Sequence, residues 1–184
     1  LAPLLMRWMP RAGVLFGQEP SAHARLLMDK AHVACNALLA SKPLHPFWLL
    51  LLSMVKESIA KGDSDPVSST GPRMLQRAYQ RWRLEFGIWE GRDPGVAVRM
   101  LEPEVFFPKL ATWNRANIYD GPCASWHLRG RSTSKVKRGK KGQLCADIES
   151  VGWERYANGH LFTNETVAVH HWFFNWGMSR KTYG

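Results

Sequence analysis

Near the end of the chain, Ala168-Val169-His170-His171-Trp172 is followed four residues on by Trp176. An imidazole can ligate a metal, move a proton or simply hydrogen-bond inside a core, whereas an indole N–H is a donor only. Residues 167–172 read as a short apolar strand, on which His170 and His171 point to opposite faces, so only one of them can reach a given ligand. The plain alternative for a His beside a Trp is a hydrogen-bonded core residue. For Trp176 it is a core plug at the end of the chain.

Three other segments carry groups of matching chemistry. Residues 13–19, Gly-Val-Leu-Phe-Gly-Gln-Glu, read as a buried strand that delivers the carboxylate of Glu19 at its end and is stopped by Pro20. Glu19 either faces a bound hydroxyl or interacts with the dipole of the helix that follows. Asn36, in Cys35-Asn36-Ala37, offers an amide that reaches substrate or braces its own backbone. Thr70 and Gly71 precede a helix opened by Pro72, an end that favours an anion and is also a good helix start in its own right. His45-Pro46 opens a helix in the same way.

The elements that must position these groups alternate. A helix is expected over residues 21–32, capped by Ser21, then a strand over 33–40. The clearest helix is 45–61, amphipathic, with Lys56, Glu57 and Lys61 on its wet side and Gly62 at its end. Residues 63–69 form a polar turn, 73–83 a helix, 96–101 a strand and 105–108 a short fourth strand, while residues 4–8 end a helix or turn. Residues 109–160, Gly-rich and polar, read as long loops around the active side. The 184 residues, 45% hydrophobic with nine Trp and eight Phe, suffice for one domain spanning 1–184 with a sizeable core, and nothing forces a second.

The net charge of +10 would ordinarily suggest a polyanionic partner. Seven of the Lys and Arg residues fall between Arg129 and Lys141 with no acid among them. Without those seven, eighteen basic residues face fifteen acidic ones. The run has no aromatic to stack a base and no apolar period, so residues 129–141 read as a flexible, solvated basic loop, and no nucleic-acid partner is expected. A nucleic-acid or anionic-membrane binding module is the alternative it leaves open.

Three cysteines, Cys35, Cys123 and Cys145, allow one disulfide at most. Cys123 and Cys145 bracket the basic run and are the expected pair, although spacing alone does not fix connectivity. The triplet Asn164-Glu165-Thr166 is a glycosylation sequon, compatible with a lumenal or extracellular chain. The longest apolar run, 47–55, is too short to span a bilayer. The chain opens on Leu without a signal peptide and is expected to be a piece of a longer polypeptide. A zinc site built from His160, His170 and His171 is a further alternative, unsupported by any His-Glu-x-x-His or paired-Cys motif.

In order and rough spacing, Gly13 to Pro20, Cys-Asn-Ala-Leu-Leu-Ala-Ser-Lys-Pro-Leu-His-Pro-Phe from Cys35, Ser-Ser-Thr-Gly-Pro ending at Pro72, Phe-Phe-Pro ending at Pro108, and Ala-Val-His-His-Trp-x-x-x-Trp ending at Trp176 resemble the sugar-binding region of glycosyltransferase family 32. That family includes Golgi mannosyltransferases and α-1,4-glycosyltransferases. The Asp-x-Asp motif of the family is not matched, because Asp63-Ser64-Asp65 falls in a turn and not at the end of a buried strand. The resemblance implies that the motif precedes Leu1, that this chain is the C-terminal part of the catalytic domain, and that it is inactive by itself.

The same resemblance implies an α/β chain forming part of a GT-A fold, with a mixed sheet and long loops. It implies metal-assisted transfer of a hexose from a nucleotide-sugar donor to a hydroxyl of a glycan or glycolipid acceptor, with retention of configuration. Glu19 and Asn36 would be the catalytic residues, Thr70, Gly71, Asn175 and Trp176 would bind the donor, and His170 would ligate the metal. A diphosphate leaving group needs its charge neutralised by Mn2+ or Mg2+, and an imidazole in the shell favours Mn2+. The family's location is the Golgi lumen or another endomembrane compartment, with membrane attachment only through an N-terminal anchor outside this chain.

Overall fold

The computed structural model describes residues 9–124 and 139–171. Its centre is a three-stranded mixed sheet of order β2-β1-β3, formed by β1 (Val14–Gln18), β2 (Ala34–Ser41) and β3 (Val98–Leu101). β1 runs antiparallel to β2 and parallel to β3. As the middle strand it is buried along its whole length, which explains why it reads as an apolar run without alternation.

The two faces of β1 serve different layers. Val14 and Phe16 join Phe47, Leu75, Ala78 and Trp82 from α1 (Phe47–Ala60) and α3 (Pro72–Glu90). Leu15 points the other way, into a cluster with Leu101, Val105, Phe106 and Phe107. The buried positions Met74, Leu75, Ala78 and Trp82 of α3 follow a helical period. This helix runs on to Glu90, beyond the expected end at 83, because Phe86 packs on Trp82 and the buried Glu90 pairs with Arg83 and Arg99; the exposed Leu84 and Ile88 hide the period. Between α1 and α3, the short α2 (Pro66–Ser69) is capped by Asp65, which accepts from the Val67 N–H at 3.1 Å.

Several sequence expectations are corrected. The fourth strand does not form: α4 (Pro103–Phe106) is a helical turn opened by Pro103. Residues 139–160, expected within long loops, contain α5 (Lys140–Val151) and α6 (Trp153–Gly159), separated by Gly152 at φ 85°. α5 is hard to read because only Leu144, Cys145 and Ile148 are buried on an otherwise polar helix. Its core is completed by Trp153 and Tyr156 of α6, by Ala22, Leu26, Leu110 and Ile118, and by the expected Cys123–Cys145 disulfide.

Lys140 and Lys141, expected in the basic loop, form the first turn of α5, and Lys141 pairs with Asp29 at 2.8 Å. Residues 129–138 of that run lie outside the described residues. The expected helix over 21–32 shrinks to a π-helical turn, His23–Leu27, with no side-chain cap, so Ser21 does not play that part. Residues 167–171 form no strand; the Val167 and Ala168 N–H groups both donate to the Val105 carbonyl, which lays the segment along α4. No helix among the described residues is long and apolar enough to cross a membrane.

Candidate active site

The C-terminal end of β1 gathers the polar groups of the buried body. Gln18 and Glu19 leave the strand on opposite faces, as successive strand residues must. Gln18 donates through Nε2 to Glu102 and accepts from His32 Nδ1 at 2.7 Å. Glu19 is 7% exposed, and its Oε2 lies 2.9 Å from Nδ1 of His23, itself 3% exposed.

The role of His23 follows from its other nitrogen. The Ala111 N–H donates to His23 Nε2 at 3.1 Å, so Nε2 presents its lone pair and a neutral ring carries the proton on Nδ1, pointing at Glu19. The tautomer is thus set by a backbone donor eighty-eight residues away in sequence. Glu19 is oriented by its partner without losing access to its neighbours. Glu19 and His23 have the i, i+4 spacing of a helix. That spacing was the available sequence signal for His23, and it was obscured by the strand-to-turn change at Pro20.

Cys35 lies against Glu19, and His170 lies within reach of its charge. Burial raises the Cys35 thiol far above its ordinary range, and the charge of Glu19 adds to the shift, so Cys35 is a protonated neighbour and not a nucleophile. His170 is half-buried, with its ring 5.9 Å from that of Phe107. Burial lowers its pKa, opposed by the charge of Glu19 and reinforced by His23 and His171. A neutral His170 is the form that can act as a ligand or acceptor. His171, next along, is exposed.

Asn36 occupies an irregularity in the sheet. Gly17 pairs with Cys35, but Phe16 pairs with Leu39, so residues 36–38 have no partner on β1 and bulge outward. The Asn36 side chain is exposed one residue from Cys35. Gly17 is needed at this point because a Cβ there would overlap the Phe107 ring.

Thr70 and Gly71 are placed by α3. Thr70 is exposed, and its hydroxyl donates to the Pro66 carbonyl at 3.2 Å. Gly71 precedes Pro72 in an extended conformation, packed so closely on Pro66 and Val67 that a Cβ would lie 2.9 Å from the Pro66 oxygen. One turn in, Gln76 Oε1 accepts from the Ala34 N–H at 2.7 Å, opposite Gln18, which ties the start of α3 to the same end of the sheet. Both residues therefore have structural work, and no contact between them and Glu19 is formed among the described residues. Asn175 and Trp176 lie outside the described residues.

Asp63 and Asp65 are committed to the turn. Asp63 accepts from the Ser58 hydroxyl at 2.9 Å, and Asp65 caps α2 and accepts from the Ser68 hydroxyl at 2.7 Å. Among the described residues no group of three or more His, Cys, Asp or Glu could hold a metal ion. With Glu19 bonded to His23, the donor set reduces to one imidazole, and these residues do not fit a Mn2+ shell by themselves. Comparison of the chain with known protein families, curated proteins and solved structures gives no match.

Proposed function

We propose that this chain belongs to a hexosyltransferase of GT-A type, related to glycosyltransferase family 32, which moves a hexose from a nucleotide sugar to a hydroxyl of a glycan or glycolipid with retention of configuration. The observation that carries the reading is the buried Glu19 carboxylate at the end of the central strand, oriented by His23 and neighboured by His170. In such a transfer the bond from the anomeric carbon to the phosphate oxygen breaks with its electron pair, the acceptor oxygen bonds to that carbon, and the acceptor proton passes to the departing phosphate oxygen. The sugar passes through a cation-like state, and a fixed carboxylate beside it lowers that barrier by charge alone. His23 keeps Glu19 in place while this charge develops.

Asn36 is the candidate for hydroxyl recognition, since its amide both donates and accepts and its bulge directs it out of the sheet. Mn2+ or Mg2+ belongs to this reading as the ion that neutralises the diphosphate. His170 is the one described side chain assigned to meet it, and its carboxylate ligands would come from elsewhere. A Golgi or other endomembrane lumen is part of the same proposal, and the Cys123–Cys145 disulfide is compatible with an oxidising compartment.

The test is a screen of UDP- and GDP-hexoses with the full-length protein, with and without Mn2+. Glu19→Gln and His170→Ala are expected to lower transfer by roughly a hundredfold or more, and His171→Ala to have a mild effect. Absence of transfer with every donor, or a larger loss for His171→Ala than for His170→Ala, would overturn the assignment.

A further inference from the structure

We propose that the cleft between the π-helical turn and the start of α5 binds a sugar unit bearing a phosphate or sulfate group. The cleft measures about 250 Å3 and is lined by Ser21, Arg25, Lys140, Gln143, Leu144 and Asp147. That volume is just below the roughly 300 Å3 at which drug-sized pockets begin, which suits one ring with one substituent.

The charge arrangement identifies the substituent. Lys141 is neutralised by Asp29, but among the described residues neither Arg25 nor Lys140 has a carboxylate within ion-pair distance. Asp147 lines the same cleft and instead accepts from Gln143 Nε2 at 2.8 Å. Arg25 and Lys140 outweigh the single carboxylate of Asp147 in this open depression, and the Arg fork matches the oxygens of a tetrahedral anion. The first turn of α5 adds the positive end of a twelve-residue helix.

The remaining lining selects a sugar over a longer polyanion. Ser21, Gln143 and Asp147 supply donors and acceptors for hydroxyl groups, and Leu144 offers an apolar contact to a ring face. Among the described residues no aromatic lines the cleft to stack a nucleobase, and the Asp147 carboxylate opposes a second phosphate. Ser21 follows Glu19 by two residues, which keeps their Cα atoms within about 7 Å. The turn points His23 toward Glu19, while Arg25 lines the cleft. The binding of the anionic sugar does not rest on the hexosyltransferase reading.

Calorimetric titration of the full-length protein with glucose 6-phosphate, glucose 6-sulfate, glucose, inorganic phosphate and a single-stranded dT oligonucleotide tests the proposal. Both sugar anions should bind, with glucose and inorganic phosphate weaker by about tenfold or more. Arg25→Gln with Lys140→Gln should weaken the sugar anions by about tenfold or more at unchanged melting temperature, and exposed Lys140→Gln alone by a smaller factor in the same direction. Inorganic phosphate binding as well as the sugar phosphate would mean an adventitious ion only and overturns the proposal. So would absence of binding, binding insensitive to both substitutions, or an oligonucleotide preferred over the sugar anions. Sugar-anion binding without hexose transfer would leave the cleft standing and remove the enzyme; transfer without sugar-anion binding would do the reverse.

Discussion

The Ala111 N–H and the Glu19 carboxylate hold opposite nitrogens of one imidazole, so a backbone group of the chain's second half orients a side chain at the end of the first strand. Both ends are buried, and either end left open would carry the cost of an unsatisfied polar group.

His23→Ala leaves a carboxylate and an N–H without their partner. The expected loss is about 1–3 kcal/mol of stability, together with most of the transfer activity assigned to Glu19. His23→Asn, whose amide can serve one end only, is expected to recover part of the stability and little of the activity. Urea denaturation with m-values, beside the transfer assay, reads both; an alanine variant as stable as the parent would show that His23 does not hold Glu19.

Gly17→Ala places a methyl group where the Phe107 ring lies. Overpacking of this kind costs about 1–3 kcal/mol. Because Phe107 also faces His170, the substitution should disturb the candidate site as well as the core. Phe107→Leu in the same chain opens space and should return part of the lost stability in a double-mutant cycle. Additive losses would mean that the two positions do not touch.

His45 is buried between α1 and the Gly13–Gly95 region, with Nδ1 accepting from the Phe47 N–H at 3.2 Å. Burial lowers its pKa from the ordinary 6.5, and His170 is shifted in the same direction. The unfolded chain then takes up protons near pH 6.5 that the folded protein refuses, so stability is full above that value and declines as pH falls below it. Melting curves between pH 7.5 and 5.5 should show this decline, shallower in His45→Asn, where an amide oxygen replaces Nδ1. A melting temperature that rises on acidification would contradict it.

Reduction of the Cys123–Cys145 bond releases a loop of twenty-two residues. Chain entropy puts the loss near 3 kcal/mol, and it should fall on the cluster that unites α5, α6 and Ile118. Hydrogen exchange with and without reductant is the measurement. Faster exchange in β1 than in α5 after reduction would show that the bridge steadies the sheet and not the helical layer.

Much of the first half was legible in the sequence because its signals are local. β1 announces itself as an unbroken apolar run between Gly13 and Pro20, α1 by its period between Pro46 and Gly62, and α3 by Pro72. The turn role of Asp63 and Asp65 was equally local, since the hydrogen bonds of both carboxylates go to groups within five residues. The strand expected over 167–172, by contrast, is an extended segment laid on α4, with His170 half-buried and His171 exposed.

The second half depended on partners distant in sequence. α5 buries only three side chains, so its period is too weak to stand out until α6 and the turn 23–27 supply the other side of the cluster. Val105 to Phe107 are apolar enough for a strand, yet no free sheet edge meets them, and Pro103 with the Glu102 carbonyl closes a helical turn instead. Local composition determined that Glu19 ends a buried strand. Only the tertiary structure decided that His23 orients it, because the group that fixes that imidazole, the Ala111 N–H, leaves no trace in any side chain of the sequence.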